Sequence, residues 1–358
     1  DGRPKDAVPL LEETWKRKKE RLGPNHRDTL TTMNNLAEAY MESGRLKEAL
    51  PLFEEALKGR KSVLGLDHPL TLISMSDLAI AYVYAGRSRE AVKLGEEALK
   101  RRQTVLGADH PDTLTSMNAL AKAYRAAGRL QEAATLFQET LKLQIAKRGP
   151  DHPYVLYTKN SLAAALRDMG RLDDALPLAE SAAAQARTHF GPNNPAILSF
   201  LDNLANLYER RRQPDKAESI WREIAAILKT NADKDPRPYA AVLVKVGLNL
   251  LRQQKFTAAE AILRESLAIR QKKQPDHWET FYTQSLLGAS LLGQKKYAAA
   301  EPLLLQGYQG IEERAQTIPA QDKKCSSEAL DHLVQLYSSW GKKEKAEQWR
   351  KKKGRDNK

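Results

Sequence analysis

The sequence predicts an all-α fold, a solenoid of two-helix units stacked on one continuous core. Three observations predict it. His26, His68, His110 and His152 lie 42 residues apart, each in an Asn-His or Asp-His pair, and Asn194 takes the next slot. A fixed period of this length means one structural unit copied along the chain. After each of these positions the apolar residues fall at i, i+3, i+4 and i+7, as in Met33, Leu36, Ala37 and Tyr40, which makes one buried stripe of a helix. A small residue also recurs within those stripes: Ala37, Ala79, Ala121, Ala163, Ala205, Gly247 and Gly288. A small side chain there lets two helix backbones approach closely, and Tyr or Leu three residues on fills the adjoining space.

Taken in order, the chain opens with Gly2-Arg3-Pro4-Lys5-Asp6-Ala7, which matches the start of a second helix whose first helix is missing. The expectation is a piece of a longer protein, with an apolar face uncovered at this end. The next unit begins at Thr29-Leu30 and carries the stripe from Met33 to Tyr40. Gly44 ends that helix, because glycine accepts the left-handed cap. A second helix follows with Leu46, Ala49, Leu50, Phe53, Ala56 and Leu57 inward, stopping near Leu64-Gly65. Asp67-His68-Pro69 then turns the chain into the next helix. Later stripes are Met75 to Tyr82, Met117 to Tyr124, Leu162 to Leu166, and Leu201 to Tyr208. Beyond them the period loosens: Leu243, Val246, Gly247 and Leu250 continue it, as do Leu287, Gly288 and Leu291. A last pair carries Leu330, Leu333, Val334 and Tyr337, then Ala346 and Trp349. Pro9, Pro51, Pro177 and Pro302 fall near second-helix starts, where a proline removes few backbone bonds. The resulting division is a partial first repeat over 1–28, four regular repeats over 29–196, divergent repeats over 197–329, and capping helices with a basic tail over 330–358.

Composition bounds the function. The 358 residues are 41% hydrophobic but only 6% aromatic, which suits thin helices in close contact. No apolar run approaches the length of a membrane span, and the start shows no signal-peptide pattern. One cysteine, Cys325, forbids an internal disulfide and is compatible with a cytoplasmic location. The net charge of +13 admits a nucleic-acid or acidic partner. Much of that charge, however, sits late in the second helices (Lys58, Arg60 and Lys61; Lys100, Arg101 and Arg102; Lys147 and Arg148), where cations complement the negative helix end.

The periodic histidines invite a metal or acid–base reading. Each lies in a different unit, so they form a ladder and do not converge; turn residues at helix starts are the expectation. No Cys-x-x-Cys, His-Glu-x-x-His, phosphate loop or nucleophile elbow occurs. The sequence therefore predicts no enzyme activity, no catalytic residue, no metal site and no cofactor.

Leu36-Ala37-Glu38-Ala39-Tyr40, Gly44-Arg45-Leu46-Lys47-Glu48-Ala49 and Leu106-Gly107-Ala108-Asp109-His110-Pro111 resemble the tetratricopeptide repeat, in the 42-residue form found in kinesin light chains and many bacterial proteins. Departures are Arg212 and Gln254 where glycine is usual, and a long connection from about Thr317 to Ser327. The resemblance implies a right-handed superhelix of antiparallel helix pairs, with first helices lining a concave surface. Two rows of each first helix then face the groove. They supply Asn34 and Met41; Ile80 and Tyr84; Asn118, Lys122 and Arg125; Asn160 and Arg167; Asn203 and Arg210; and Lys245, Asn249 and Arg252. Asn can clasp an extended backbone, Arg grips carboxylates, and apolar positions seat an anchor. Kinesin light chain repeats hold short acidic peptides containing an aromatic residue, and the similar groove here implies a non-catalytic scaffold for an acidic, partly apolar peptide or protein segment. Two alternatives stand beside it. One is a nucleic-acid-binding solenoid, opposed by the lack of a stacking aromatic in each repeat. The other is a regulatory region of a larger signalling protein, since Ala300-Glu301-Pro302-Leu303-Leu304 with Trp340-Gly341-Lys342 looks like the C-terminal regions of some bacterial serine/threonine kinases.

Overall fold

A computed structural model describes residues 4–319 and 322–356. All regular structure among them is helical, and they form two compact units that divide between His189 and Phe190. The first holds α1 (Pro4–Leu22), α2 (Arg27–Glu42), α3 (Leu46–Leu64), α4 (Pro69–Tyr84), α5 (Ser88–Leu106), α6 (Pro111–Ala126), α7 (Leu130–Arg148), α8 (Pro153–Asp168) and α9 (Leu172–Phe190). The second opens with a 3-10 turn (Pro195–Ile197), followed by α10 (Leu198–Arg210), α11 (Pro214–Lys229), α12 (Arg237–Arg252), α13 (Phe256–Lys273), α14 (Trp278–Gly293) and α15 (Tyr297–Glu313). A further 3-10 turn (Ala315–Thr317) precedes α16 (Lys324–Ser339) and α17 (Lys343–Asp356). Helices joined by short connections pack side by side as antiparallel pairs. First helices of neighbouring repeats also touch, α2 to α4 to α6 to α8 in one unit and α12 to α14 to α16 in the other. First helices therefore form the inner wall of each stack.

Helix starts explain the histidine period. His26, His68, His110 and His152 are N-caps whose Nδ1 accepts the backbone N–H of Asp28, Leu70, Asp112 and Tyr154, each at 3.2 Å. Asn194 does the same with Oδ1 for Ala196 at 2.9 Å. The side chain satisfies a donor that the helix cannot. The expected turn residue is thus a cap, and its ring is occupied. Among the described residues no group of three or more His, Cys, Asp or Glu is placed to hold a metal, and no helix is long and apolar enough to cross a membrane.

Between first and second helices the chain needs one left-handed residue. Gly44, Gly86, Gly128 and Gly170 supply it in the regular repeats. Arg212 (φ 56°), Gln254 (φ 59°) and Lys295 (φ 62°) take the same conformation with side chains, at a cost of about 1–2 kcal/mol each. The sequence marks the first two as departures but not Lys295. The connection after α15 lies earlier than the expected Thr317 to Ser327, because α15 ends at Glu313 and α16 begins at Lys324; residues 320–321 lie outside the described ones.

Packing centres on the small residues. Ala37, Ala79, Ala121, Ala163 and Ala205 are fully buried. At Gly247 and Gly288 an added Cβ would stand 2.6 Å from Leu263 and Leu304, so the divergent repeats press their helices even closer. A polar clamp joins α2, α4 and α6 each to the second helix of the repeat before. The Tyr40, Tyr82 and Tyr124 hydroxyls donate to Glu12, Glu54 and Glu96, and Arg45, Arg87 and Arg129 lie 4.1–4.2 Å over those rings. Arg87 also reaches Glu54 at 2.9 Å. In the second unit Tyr337 and Lys345 share Glu301, while Gln294, Arg264 and Lys296 gather on Glu260 and hold its carboxyl down to about 2.

Two cations expected to complement helix ends are in fact interior. Arg60 and Arg102 are only 2% and 3% exposed. Each reaches into the next first helix: Arg60 Nη1 donates to the Leu70 carbonyl and to Ser74 Oγ, and Arg102 Nη1 to the Asp112 carbonyl and Ser116 Oγ. A guanidinium has five donors and can bridge two acceptors at such a junction.

Gly307 gives the sharpest test of this packing. A Cβ there would meet the Ser285 backbone nitrogen at 2.8 Å and the Phe281 carbonyl at 2.9 Å, neither of which can swing aside. Gly307→Ala is expected to destabilise the fold by about 1–3 kcal/mol, measured by urea denaturation. An unchanged midpoint would mean that α14 and α15 are not pressed together at this point.

Candidate functional site

The inner wall of the first unit carries the predicted groove residues, and the structure sorts them by burial. Asn34 is not free: it is 3% exposed and sits in a relay that joins two repeats. Arg60 donates to Ser74 Oγ, Ser74 Oγ donates to Asn34 Oδ1 at 2.8 Å, and Asn34 Nδ2 donates to Asp77 Oδ2 at 2.9 Å. Asn203 and Asn249 are buried as well, at 5% and 0%, and Asn249 donates to Glu209. Clasping a peptide backbone, the role expected of these three amides, is therefore not open to them. Their buried polar groups are turned to neighbours of the fold, as burial requires. Asn118 and Asn160 are half-buried, and Asn118 Oδ1 accepts from the Thr158 hydroxyl at 3.1 Å.

The basic residues also differ from the expectation. Arg125 and Arg167 grip a carboxylate already in the chain: Arg125 Nε lies 2.7 Å from Asp168 Oδ2, and Arg167 Nη2 lies 3.0 Å from Asp168 Oδ1. Burial would raise Asp168, but hydrogen bonds and charge from Arg125 and Arg167 outweigh it and hold its carboxyl below the usual range. In the second unit Lys245 pairs with Asp202 and Arg252 with Glu209. Lys245 and Arg252 keep solvent-exposed surface, and Arg210 is exposed.

Lys122 behaves differently. It keeps exposed surface, yet the wall crowds it. Loss of hydration, reinforced by the charge of Arg125, pushes its ammonium below the ordinary lysine value. With one carboxylate between three cations, the stretch from α6 to α8 stays net positive. The other end of this wall has the opposite sign. Burial raises both Glu38 and Asp77, and Asp77 and Glu42 add to the effect at Glu38.

Apolar groups complete the site. Met41 is half-buried and Tyr84 is 69% exposed. Ile80, Asn118 and Lys122, three of the predicted residues, come together around a cleft of about 210 Å³. Its remaining walls include Gln144 from α7 and Tyr154, Tyr157 and Ser161 from α8. The sequence reading missed both tyrosines, which are 53% and 41% exposed. Tyr157 lies one helical turn before Asn160 and Ser161, so extending the groove rows back by a turn would have found it.

The titration at Glu38 yields a test. A carboxyl whose folded pKa is raised is penalised when ionised. Its favourable contribution is full below its unfolded value near 4.5 and is lost as pH rises through the folded value. Glu38→Gln is therefore expected to raise the melting temperature at pH 7 and to leave it unchanged below about pH 4. An equal effect at both pH values would remove the electrostatic account.

The chain matches a family model described as tetratricopeptide repeat over residues 1–62, 28–104, 90–146, 154–230 and 238–313. A comparison with curated proteins finds no match. Among solved structures, it is 30% identical to the kinesin light chain nearly identical TPR-like repeats of Podosopora anserina, covering 59% of this chain and 98% of that one, with a TM-score of 0.46. It is 21% identical to BtubC (BKLC) from P. vanneervenii, over 64% and 92%, with a TM-score of 0.49. Aspartyl phosphate phosphatase F from Bacillus subtilis is 13% identical, over 98% of this chain and 90% of that one, with a TM-score of 0.56, a likeness of fold alone.

Proposed function

The chain belongs to the tetratricopeptide repeat family, whose helical stacks are in general non-catalytic scaffolds for protein–protein interaction, and on that premise we propose that the inner wall between α4 and α8 binds an acidic, partly apolar polypeptide segment. The single observation that carries this reading is the surplus of positive charge on α6 and α8. Lys122, Arg125 and Arg167 face one internal carboxylate, Asp168. Carboxylates on a partner would complete the set, since a charge-assisted bond to a partly dehydrated cation is stronger than one in open water. Ile80, Tyr84, Tyr154 and Tyr157 lie on the same helices and offer apolar area, as an anchor residue needs.

The site set is accordingly narrower than the sequence expectation. It keeps Met41, Ile80, Tyr84, Asn118, Lys122, Arg125, Asn160 and Arg167, and drops the buried Asn34, Asn203 and Asn249. In the second unit Arg210, Lys245 and Arg252 are retained as a weaker basic row, because Asp202 and Glu209 already answer two of them. The single, buried cysteine supports a reducing, cytoplasmic setting.

Lys122 is the residue to change, because Arg125 and Arg167 also hold the fold through Asp168. The probe is a fluorescein-labelled peptide of alternating Asp or Glu with Leu and Tyr, followed by anisotropy. Lys122→Glu is expected to weaken binding by roughly tenfold or more with unchanged helical circular dichroism, and added salt should weaken the parent interaction. Equal affinity of the two proteins for this peptide would remove the proposal.

A further inference from the structure

Arg60, Arg102 and Gln144 hold the same place in three successive second helices, 42 residues apart. At the first two junctions a guanidinium fills the space against the next first helix, bonded to a carbonyl ten residues on and a hydroxyl fourteen on. At the third, the equivalent hydroxyl of Thr158 turns to Asn118 and to the Tyr154 carbonyl. Gln144 is shorter than arginine and leaves the 210 Å³ cleft beside it. It is only 3% exposed, and its Oε1 has no hydrogen-bond partner. A buried amide oxygen left unpaired costs about 1–3 kcal/mol, so this acceptor asks for a donor in the cleft.

The lining decides which donor. No carboxylate is among the cleft residues, and Lys122 is, so a partner's lysine or arginine would meet a like charge. A carboxylate would suit Lys122 but would set oxygen against oxygen at Gln144. An indole could donate to Gln144 but offers Lys122 nothing to accept with. A primary carboxamide does both: its NH₂ donates to Gln144 Oε1 and its carbonyl accepts from the Lys122 ammonium. The cleft is smaller than the roughly 300 Å³ at which small-molecule sites begin, which favours one side chain over a free metabolite. Ile80, Ala119 and Tyr157 would flank an aliphatic stem.

We infer that the cleft between α4, α6, α7 and α8 is a socket for a glutamine or asparagine side chain of the bound polypeptide. This rests on the reading of the inner wall as a binding surface and adds a neutral specificity element to it. Gln144, Lys122 and Ile80 are its donor-matching, acceptor-matching and apolar walls.

The test uses a neutral probe, so that its outcome is separable from that of the acidic-segment proposal. Ile80 carries a δ1 methyl group in the cleft wall and serves as the reporter in a methyl-labelled NMR titration. N-acetyl-glutamine methylamide is expected to shift it saturably, and to bind roughly fivefold tighter than N-acetyl-methionine methylamide, the difference of about one net hydrogen bond. Gln144→Arg restores the internal guanidinium and should abolish the shift; Gln144→Leu keeps the bulk without the acceptor and should erase the preference for glutamine. No saturable shift, an equal response to the methionine compound, or an unchanged response in the Gln144→Arg protein overturns the socket and leaves water as the partner of Gln144. The anisotropy experiment with the acidic peptide is unaffected by any of these results.

Discussion

The structure depends on how closely neighbouring helices can approach at one small residue per repeat. No two-helix unit can bury its apolar stripe alone. Ala37, Ala79, Ala121, Ala163 and Ala205 have no exposed surface, so the backbones meet there and the larger residues on either side interlock. Where alanine gives way to Gly247 and Gly288, Leu263 and Leu304 occupy the place of the missing methyl. The repeat period is the sequence record of that contact. Once it is fixed, the inner wall, the caps and the clamps follow at the same spacing.

Around that apolar contact runs a set of polar junctions that fix register. Tyr82 with Arg87 and Glu54, and Tyr124 with Arg129 and Glu96, repeat one geometry. They lie on the surface, and their individual energies are modest. Their direction matters more, since hydrogen bonds between fixed partners specify which turn of one helix faces which turn of the next. Arg60 and Arg102 do the same from inside. Gln144 is the exception in this series, and the cleft beside it follows from that exception.

Much of this was legible in the sequence. Helix positions, the glycine stops and the small-residue crossings follow from periodicity and from the conformational freedom of glycine. The four histidines were legible as helix-start residues, although the accepting nitrogen needed coordinates. Ile80, Asn118 and Lys122 were placed on one wall by counting along single helices, and they do surround one cleft. The same counting failed at Asn34 and Asn249, because their partners, Asp77 and Glu209, lie in the adjoining repeat, and a helical wheel does not contain its neighbour. It failed at Arg60 and Arg102 for a related reason. A long cation near a helix end reads as solvated until another helix is laid across it. Lys295 escaped notice because nothing in a lysine announces a left-handed backbone.

The contrast between the two ends of the inner wall in the first unit has a consequence of its own. Glu38 and Asp77 crowd one end with carboxyls that resist ionisation, while Lys122 lies near the other with an ammonium that resists protonation. Such a surface has a built-in arrow. An extended acidic guest laid along it with its anions toward α8 would meet Lys122, Arg125 and Arg167, and the same guest turned end for end would set those anions beside Glu38 and Asp77. Electrostatics would thus favour one orientation of such a guest before any side chain finds its seat.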